Sequence, residues 1–407
     1  MKILYVTPFA FVPPTSGATI RMFQLLSHLA SRHEVTVVGW GTEADAAAIV
    51  RALPSVRAVH LVPQSRDGSS RRLGQLRAIL SRSSYHEFSL VGAGIRQAIA
   101  RVLAAERFDA VHASMSQMGP LLAGRSALKV ADAQNIEHDV FRRNYEALTG
   151  GFRKLHYWLE WKKHRREELS NWKRADLVLA TSERDARMIA DLAPDVRCRI
   201  LPNGVDLRAF VPSAAPPESG TLVFTGTMDY LPNLDGIGWF LDEVFPLVLR
   251  SLPDATLFVV GKNPPPSLQR RASRNVVVTG MVDDVRPWIS RAMACIVPLR
   301  SGGGTRLKVL EAFAMGKPVV STTIGCEGID VVEGQEALLA DTPSAFADAV
   351  VRVLADARLR SGLASAGRQL ASDSYGWQAI GARLLAYYDE LFEERRRLGQ
   401  VPRGEDR

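Results

Sequence analysis

Short apolar runs alternate with stretches of helical periodicity along almost the whole chain. The runs "KILYVT", "HEVTVVGW", "FDAVHAS", "LKVADAQ" and "ADLVLATS" predict the strands of a first domain. "TLVFTGT", "ATLFVVG", "NVVVTG", "ACIVPL" and "KPVVST" predict those of a second. Strands separated by helices in this way imply an α/β fold of parallel sheets covered by helices. Between the two sets, "LPNGVDLRAFVPSAAPPESG" is rich in proline and small residues and reads as the linker. The expected division is residues 1–205 and 206–375. One late helix, about 376–397, has no strand after it, yet Trp377, Ile380, Leu384, Tyr387 and Leu391 form an apolar stripe along it. That stripe must dock, either on the first domain or in the helical layer of the second. The last ten residues, "LGQVPRGEDR", are expected to be loose.

A length of 407 residues exceeds a single hydrophobic core and agrees with two domains. The longest apolar runs fall far short of the roughly 20 residues that a membrane-spanning helix needs. The opening "MKILYVTPFAF", followed by Pro13 and Pro14 without a small-residue cleavage site, reads as a strand and not as a signal peptide. Cys198, Cys295 and Cys326 are scattered and odd in number, which suits a reducing cytoplasm and offers neither a disulfide framework nor a zinc site. Charge is lopsided: residues 1–205 hold 29 Lys and Arg against 19 Asp and Glu, and the remainder holds 22 against 24. The basic half is expected to meet something anionic: a nucleic acid, a membrane surface or a phosphorylated acceptor.

The densest chemistry lies in "SGGGTRLKVLEAFAMGKPVVST", from Ser301 to Thr322. It follows a strand and has the order glycine turn, then helix, which places it where open parallel sheets bind anions. Gly302, Gly303 and Gly304 let the backbone approach a ligand closely. Thr305 is expected to cap the helix, with Arg306 and Lys308 in its first turn. Cations at that end of the macrodipole are unfavourable unless an anion is bound, so a phosphate or diphosphate is predicted. Glu311, one turn deeper, is placed to accept hydrogen bonds from ribose hydroxyls. The pattern GxxxxGK[ST] is absent, and no GxGxxG follows the first strand, which argues against a P-loop NTPase and a nicotinamide dehydrogenase. A purely structural reading stays open, in which the glycine turn and helix link two strands and Lys308 and Glu311 form a surface pair.

"RLKVLEAFAMGKPVVST" resembles the signature segment of retaining glycosyltransferases of family four, in which an acidic residue precedes a glutamate by eight positions and A-x-A-x-G-x-P-V-V follows. "LPNGVD", "VVGKNP" with "VVVTGMVDDVRPWISRA", and "PPTSGATIRMFQLLSHLASRHEVTVV" resemble further segments of the same family, in order and spacing. The resemblance implies a GT-B architecture: two Rossmann-like parallel-sheet domains facing a central cleft, an acceptor-binding one and a nucleotide-sugar-binding one, with the last helix crossing back to the first. The sequence departs from the pattern twice. Its first acidic position falls on Gly303, leaving Glu311 alone. The basic pair of many relatives after the second domain's first strand is also missing; "FTGTMDYLPNLDG" offers Gly226, Asp229 and Asn233 instead. Arg306 and Lys308 are therefore expected to carry the diphosphate charge, with Gly226, Asn233 and Gly261 among the donor-binding positions.

The resemblance also implies a donor-phosphate contact at Gly17, expected in a loop before the first helix, and a nucleobase near "TGMVDD", against the backbone of Met281 and Val282. Asp283 and Asp284 are expected to cap the next helix. His112, Asn135, Glu137 and His138 sit at strand ends and are candidates for catalysis (His112) and acceptor binding, with a structural role as the alternative. No D-x-D occurs, so no metal site and no cofactor beyond the nucleotide-sugar substrate is expected. The implied reaction is transfer to a glycan or polyprenyl-linked acceptor in polysaccharide assembly, in the cytoplasm or at the inner face of the plasma membrane. An epimerase on the same fold and a non-catalytic sugar-nucleotide-binding protein remain as alternatives. "FRKLHYWLEWKKHRREELSNWKRAD" either lies on an anionic membrane as an amphipathic helix or is a solvated structural helix, since Glu160, Glu167 and Glu168 interrupt its basic face. No recognised nucleic-acid-binding module accompanies it, so no nucleic-acid partner is expected.

Overall fold

Runs of Val, Ile and Leu assemble into two separate sheets, in each of which every strand pairing is parallel. The computed structural model describes residues 1–64, 83–122, 127–148, 150–302 and 304–398. The chain divides into two compact units, one formed by Met1–Pro202 together with the chain from Ile380 onward, the other by Asn203–Ala379.

In the first unit the strands are β1 (Lys2–Thr7), β2 (Glu34–Trp40), β3 (Ala58–Val62), β4 (Ala110–Ser114), β5 (Leu128–Ala133), β6 (Leu177–Ala180) and β7 (Cys198–Ile200). Their spatial order is β3-β2-β1-β4-β5-β6-β7. Helix α1 (Gly17–Ala30) starts on a capping box in which Ser16 and Thr19 satisfy each other's backbone N–H groups. Gly17 is thus the exposed first residue of this helix and not part of the preceding loop. From α1, the fully buried Arg21 donates to the Asp132 carboxylate through Nε (3.0 Å) and Nη2 (2.6 Å). Its Nη1 reaches the carbonyls of Leu201 and Pro202 at 2.9 and 3.0 Å, fastening the end of the unit's last strand to its core. Three further helices matter below: α2 (Tyr85–Leu90), α3 (Glu137–Ala147) and α4 (Phe152–Trp172).

In the second unit the strands are β8 (Thr221–Thr225), β9 (Thr256–Val260), β10 (Val276–Gly280), β11 (Ala294–Val297), β12 (Val319–Ser321) and β13 (Ala337–Leu339), in the spatial order β10-β9-β8-β11-β12-β13. The order reverses between β8 and β11, and at such a point the loops leaving the two strands diverge and open a crevice at their carboxyl ends. Helix α5 (Leu231–Trp239) follows β8, and α6 (Leu307–Ala314) follows β11. Phe224, Phe240, Phe313 and Phe346 fill the core around them.

The final helix, α7 (Trp377–Arg397), docks its apolar stripe on the first unit from Ile380 on. Tyr387 Oη donates to the Ile200 carbonyl at 3.1 Å, Tyr388 Oη meets His112 Nδ1 at 2.8 Å, and Arg197 pairs with Glu390 and Glu394. Gly381 lies flat on the His28 ring, where a β-carbon would come within 1.8 Å of it.

Among the described residues no helix is long and apolar enough to cross a membrane.

Candidate functional site

The carboxyl ends of β8 and β9 carry glycines whose backbones approach one another too closely for side chains. Gly261 (φ +149°) lies against Gly226 so tightly that a β-carbon on it would stand 1.8 Å from the Gly226 carbonyl oxygen. A β-carbon on Gly226 (φ +158°) would stand 2.7 Å from Asn233 Nδ2 and 3.0 Å from Lys308 Nζ. On the β11 side, Gly302 (φ +115°) leaves room for Arg306 Nη2 and the Tyr230 hydroxyl, which such a β-carbon would meet at 3.2 and 3.4 Å. Gly226, Asn233, Gly261, Gly302, Arg306 and Lys308 are therefore gathered at the point where the strand order reverses.

Lys308 points back across the sheet toward α5. Its Nζ donates to Asn233 Oδ1 at 2.8 Å and sits 4.1 Å from the centroid of the Phe224 ring. Asn233 is held in turn by donation from its Nδ2 to the Thr227 carbonyl at 2.8 Å. Burial, and secondly the nearby Arg306 charge, push the Lys308 ammonium down to about 7. Burial likewise raises the Glu311 carboxyl to about 7, opposed by Lys308. Arg306 is 7% exposed and donates from Nη1 to the Gly304 carbonyl at 3.0 Å. Arg306 and the Lys308 amine thus stand together in a partly dehydrated, glycine-lined mouth, an arrangement whose chemistry suits a compact anion. Withdrawal from water strengthens the attraction, and the backbone offers no side chain to obstruct approach.

Thr305 does not cap α6. The helix begins at Leu307, Arg306 occupies the N-cap position with φ −84° and ψ 89°, and no side chain bonds the first N–H groups. The buried Thr305 hydroxyl has no partner among the described residues. The early start expected for this helix fails because two residues are spent turning the chain after Gly304 (φ +72°). Gly303 lies outside the described residues. At the end of β10, Met281 is 76% exposed beside the half-exposed Val282, and Asp284 Oδ1 accepts from the Arg286 N–H at 2.9 Å at the start of the next helix.

The first-unit candidates form two other groups. His112 is fully buried, its ring stacked on Tyr5 at 4.7 Å, and burial drives its pKa down to about 4, so the imidazole is neutral and enclosed. His138 is 5% exposed, with Nδ1 2.7 Å from Glu168 Oε2. The Glu168 carboxylate also accepts the N–H groups of Glu137 and His138 at 2.8 and 3.0 Å, capping α3. Burial, and secondly Glu168, raise Glu137 to about 7; Gln117 and Asn135 hydrogen bond it and pull the other way. Sequence reading did not single out Phe224, Thr227 or Tyr230, because an aromatic in a buried strand and a loop carbonyl carry no local signal of their roles.

Known proteins match both units. Residues 15–209 match the family described as Glycosyltransferase Family 4, and residues 219–356 match Glycosyl transferases group 1. A GDP-mannose-dependent alpha-(1-6)-phosphatidylinositol monomannoside mannosyltransferase of Mycolicibacterium smegmatis is 33% identical over 177 residues, which is 40% of this chain and 45% of that protein. The chain spans about half the length of the curated relatives it matches. Sucrose-phosphate synthase from Thermosynechococcus elongatus superposes with a TM-score of 0.70 at 18% identity, over 97% of this chain and 100% of that one. HepE of Anabaena, solved with UDP and glucose, gives 0.67 at 16% identity over 96% and 99%. These structures share the fold.

Proposed function

The chain belongs to the family 4 and group 1 glycosyltransferases and has the GT-B fold, and from that premise we propose that it transfers a sugar from a nucleoside-diphosphate sugar to a glycan or lipid-linked saccharide acceptor, with retention of anomeric configuration and without a metal ion. The observation that supports this reading best is the convergence of Lys308 and Arg306 on the glycine-lined mouth between β8 and β11. A leaving diphosphate develops negative charge as its bond to the sugar breaks, and preorganised cations stabilise that charge more than they stabilise the intact donor.

In the proposed reaction the bond between the anomeric carbon and the phosphate oxygen breaks, and a bond to the acceptor hydroxyl oxygen forms on the same face. The acceptor proton passes to the departing phosphate oxygen. Lys308 and Arg306 hold the diphosphate, Glu311 accepts from ribose hydroxyls, and the exposed end of β10 at Met281 and Val282 receives the base. The names of the relatives support mannose as one sugar to try, and HepE, solved also with UDP-glucose, supports that nucleotide-sugar as one donor.

The reading is tested by incubating the purified chain with a panel of nucleoside-diphosphate sugars, with and without saccharide acceptors, in the presence of a chelator. Acceptor-dependent release of nucleoside diphosphate with an α-linked product from an α-linked donor is expected. Conversion of the donor sugar without an acceptor, or binding with no turnover across the panel, would overturn it.

A further inference from the structure

Helix α4 turns its three glutamates away from solvent. Glu160 Oε2 accepts the Tyr85 N–H at 3.0 Å and Glu167 accepts the Ser84 N–H, so both serve the start of α2. Glu168 caps α3 as described above, and Glu160 and Glu168 are 3% and 2% exposed. The carboxylates that interrupt the basic pattern in the sequence are consumed as caps of neighbouring helices and do not reach the outer face.

That outer face carries Leu155, Trp158, Lys162, Arg165 and Arg166, all exposed. The spacing i, i+3, i+7, i+10, i+11 confines them to a stripe about 100° wide on a helix of about 3.6 residues per turn. Leu155 is 50% exposed and Trp158 39%. Lys162 Nζ lies 4.1 Å from the Trp161 ring centroid, so its cation is kept beside aromatic surface. Among the described residues of α4, no acidic side chain belongs to this stripe.

We propose that this stripe of α4 docks on an anionic lipid bilayer, with Trp158 and Leu155 entering the interface and Lys162, Arg165 and Arg166 facing the headgroups. The combination of apolar and basic side chains on one stripe suits such a surface. Tryptophan and leucine gain by leaving water only where an apolar phase lies beneath them, and three adjacent cations on the same face gain only where that phase is covered by negative charge. The positive excess of residues 1–205 adds long-range attraction of the same sign. A nucleic acid would satisfy the cations and leave Leu155 in water. The inference concerns binding alone and is independent of the catalytic reading.

The full chain is floated with phosphatidylglycerol/phosphatidylcholine vesicles and, separately, with pure phosphatidylcholine vesicles. Binding to the first and not the second is expected, falling as salt is raised. The Lys162→Gln/Arg165→Gln/Arg166→Gln triple variant should bind roughly 100-fold more weakly, at about five-fold per basic side chain. Leu155→Ser/Trp158→Ser, tested in parallel with unchanged circular dichroism, should weaken binding at least about ten-fold through lost apolar contact. No association with the anionic vesicles, wild-type association by the triple variant, or preference for single-stranded RNA over vesicles would overturn the proposal.

Discussion

Lys308 Nζ donates to Asn233 Oδ1 at 2.8 Å, bridging α6 and α5 across the mouth between β8 and β11. The partner is a neutral amide, so the ammonium is oriented without being neutralised by it. Replacing the amide with an isosteric carboxylate separates these two functions. Asn233→Asp should keep Lys308 in place, raise its pKa, and weaken nucleoside diphosphate binding by at least about ten-fold, because the new anion occupies the cation. Calorimetric titration measures the affinity, and an unchanged constant would show that Asn233 does not position the binding group.

The pH dependence of donor kcat/KM follows from the same pair. In the free protein the Lys308 ammonium titrates at about 7, and a bound diphosphate favours the charged form. Affinity therefore falls as pH rises above about 7. Glu311, also near 7 through burial, accepts ribose hydrogen bonds more strongly and with both oxygens when ionised, so affinity falls as pH drops below that value. The expected profile is a narrow bell whose apparent values belong to the pair. Lys308→Arg should remove the alkaline limb and Glu311→Gln the acid one.

Gly261→Ala tests the close approach of the two strand ends. The added β-carbon meets the Gly226 carbonyl oxygen at 1.8 Å, a backbone atom that no side-chain rotation can move aside, so the strand ends must part. A loss of about 1–3 kcal/mol in stability is expected from such overpacking, together with weaker donor binding. Denaturant unfolding and calorimetry measure the two effects.

Arg21 and Asp132, both in the first unit, supply a control. Removing one member of this buried pair leaves the other charge unpaired, so Arg21→Met should cost about 3–5 kcal/mol. Arg21→Met/Asp132→Leu should cost less than Arg21→Met alone. Denaturant unfolding of the three chains decides; a double variant worse than the single one would contradict the pairing.

The central strands were legible because each is buried on both faces and writes a continuous apolar run. β3, β7 and β13 went unpredicted, and all three are sheet edges. β3 is only half-buried with His60 exposed, and the other two are three residues long, so neither run length nor alternation marks them. The glycine and cation segment was legible since its chemistry is local. The contact between Lys308 and Asn233, 75 residues apart, and that between Arg21 and Asp132, 111 apart, are products of strand order. His112 and His138 read as site residues by position alone; packing shows one stacked on Tyr5 and bonded to Tyr388, the other tied to Glu168.

In the proposed function Lys308 and Arg306 do the work of a divalent ion. Titration of a nucleoside diphosphate into the wild-type chain, Lys308→Ala and Arg306→Ala, each with a chelator present, tests it most directly. Metal-independent binding by the wild type and at least about thirty-fold weaker binding by each variant are expected. Wild-type affinity that vanishes with the chelator, or variants that bind as the wild type does, would contradict it.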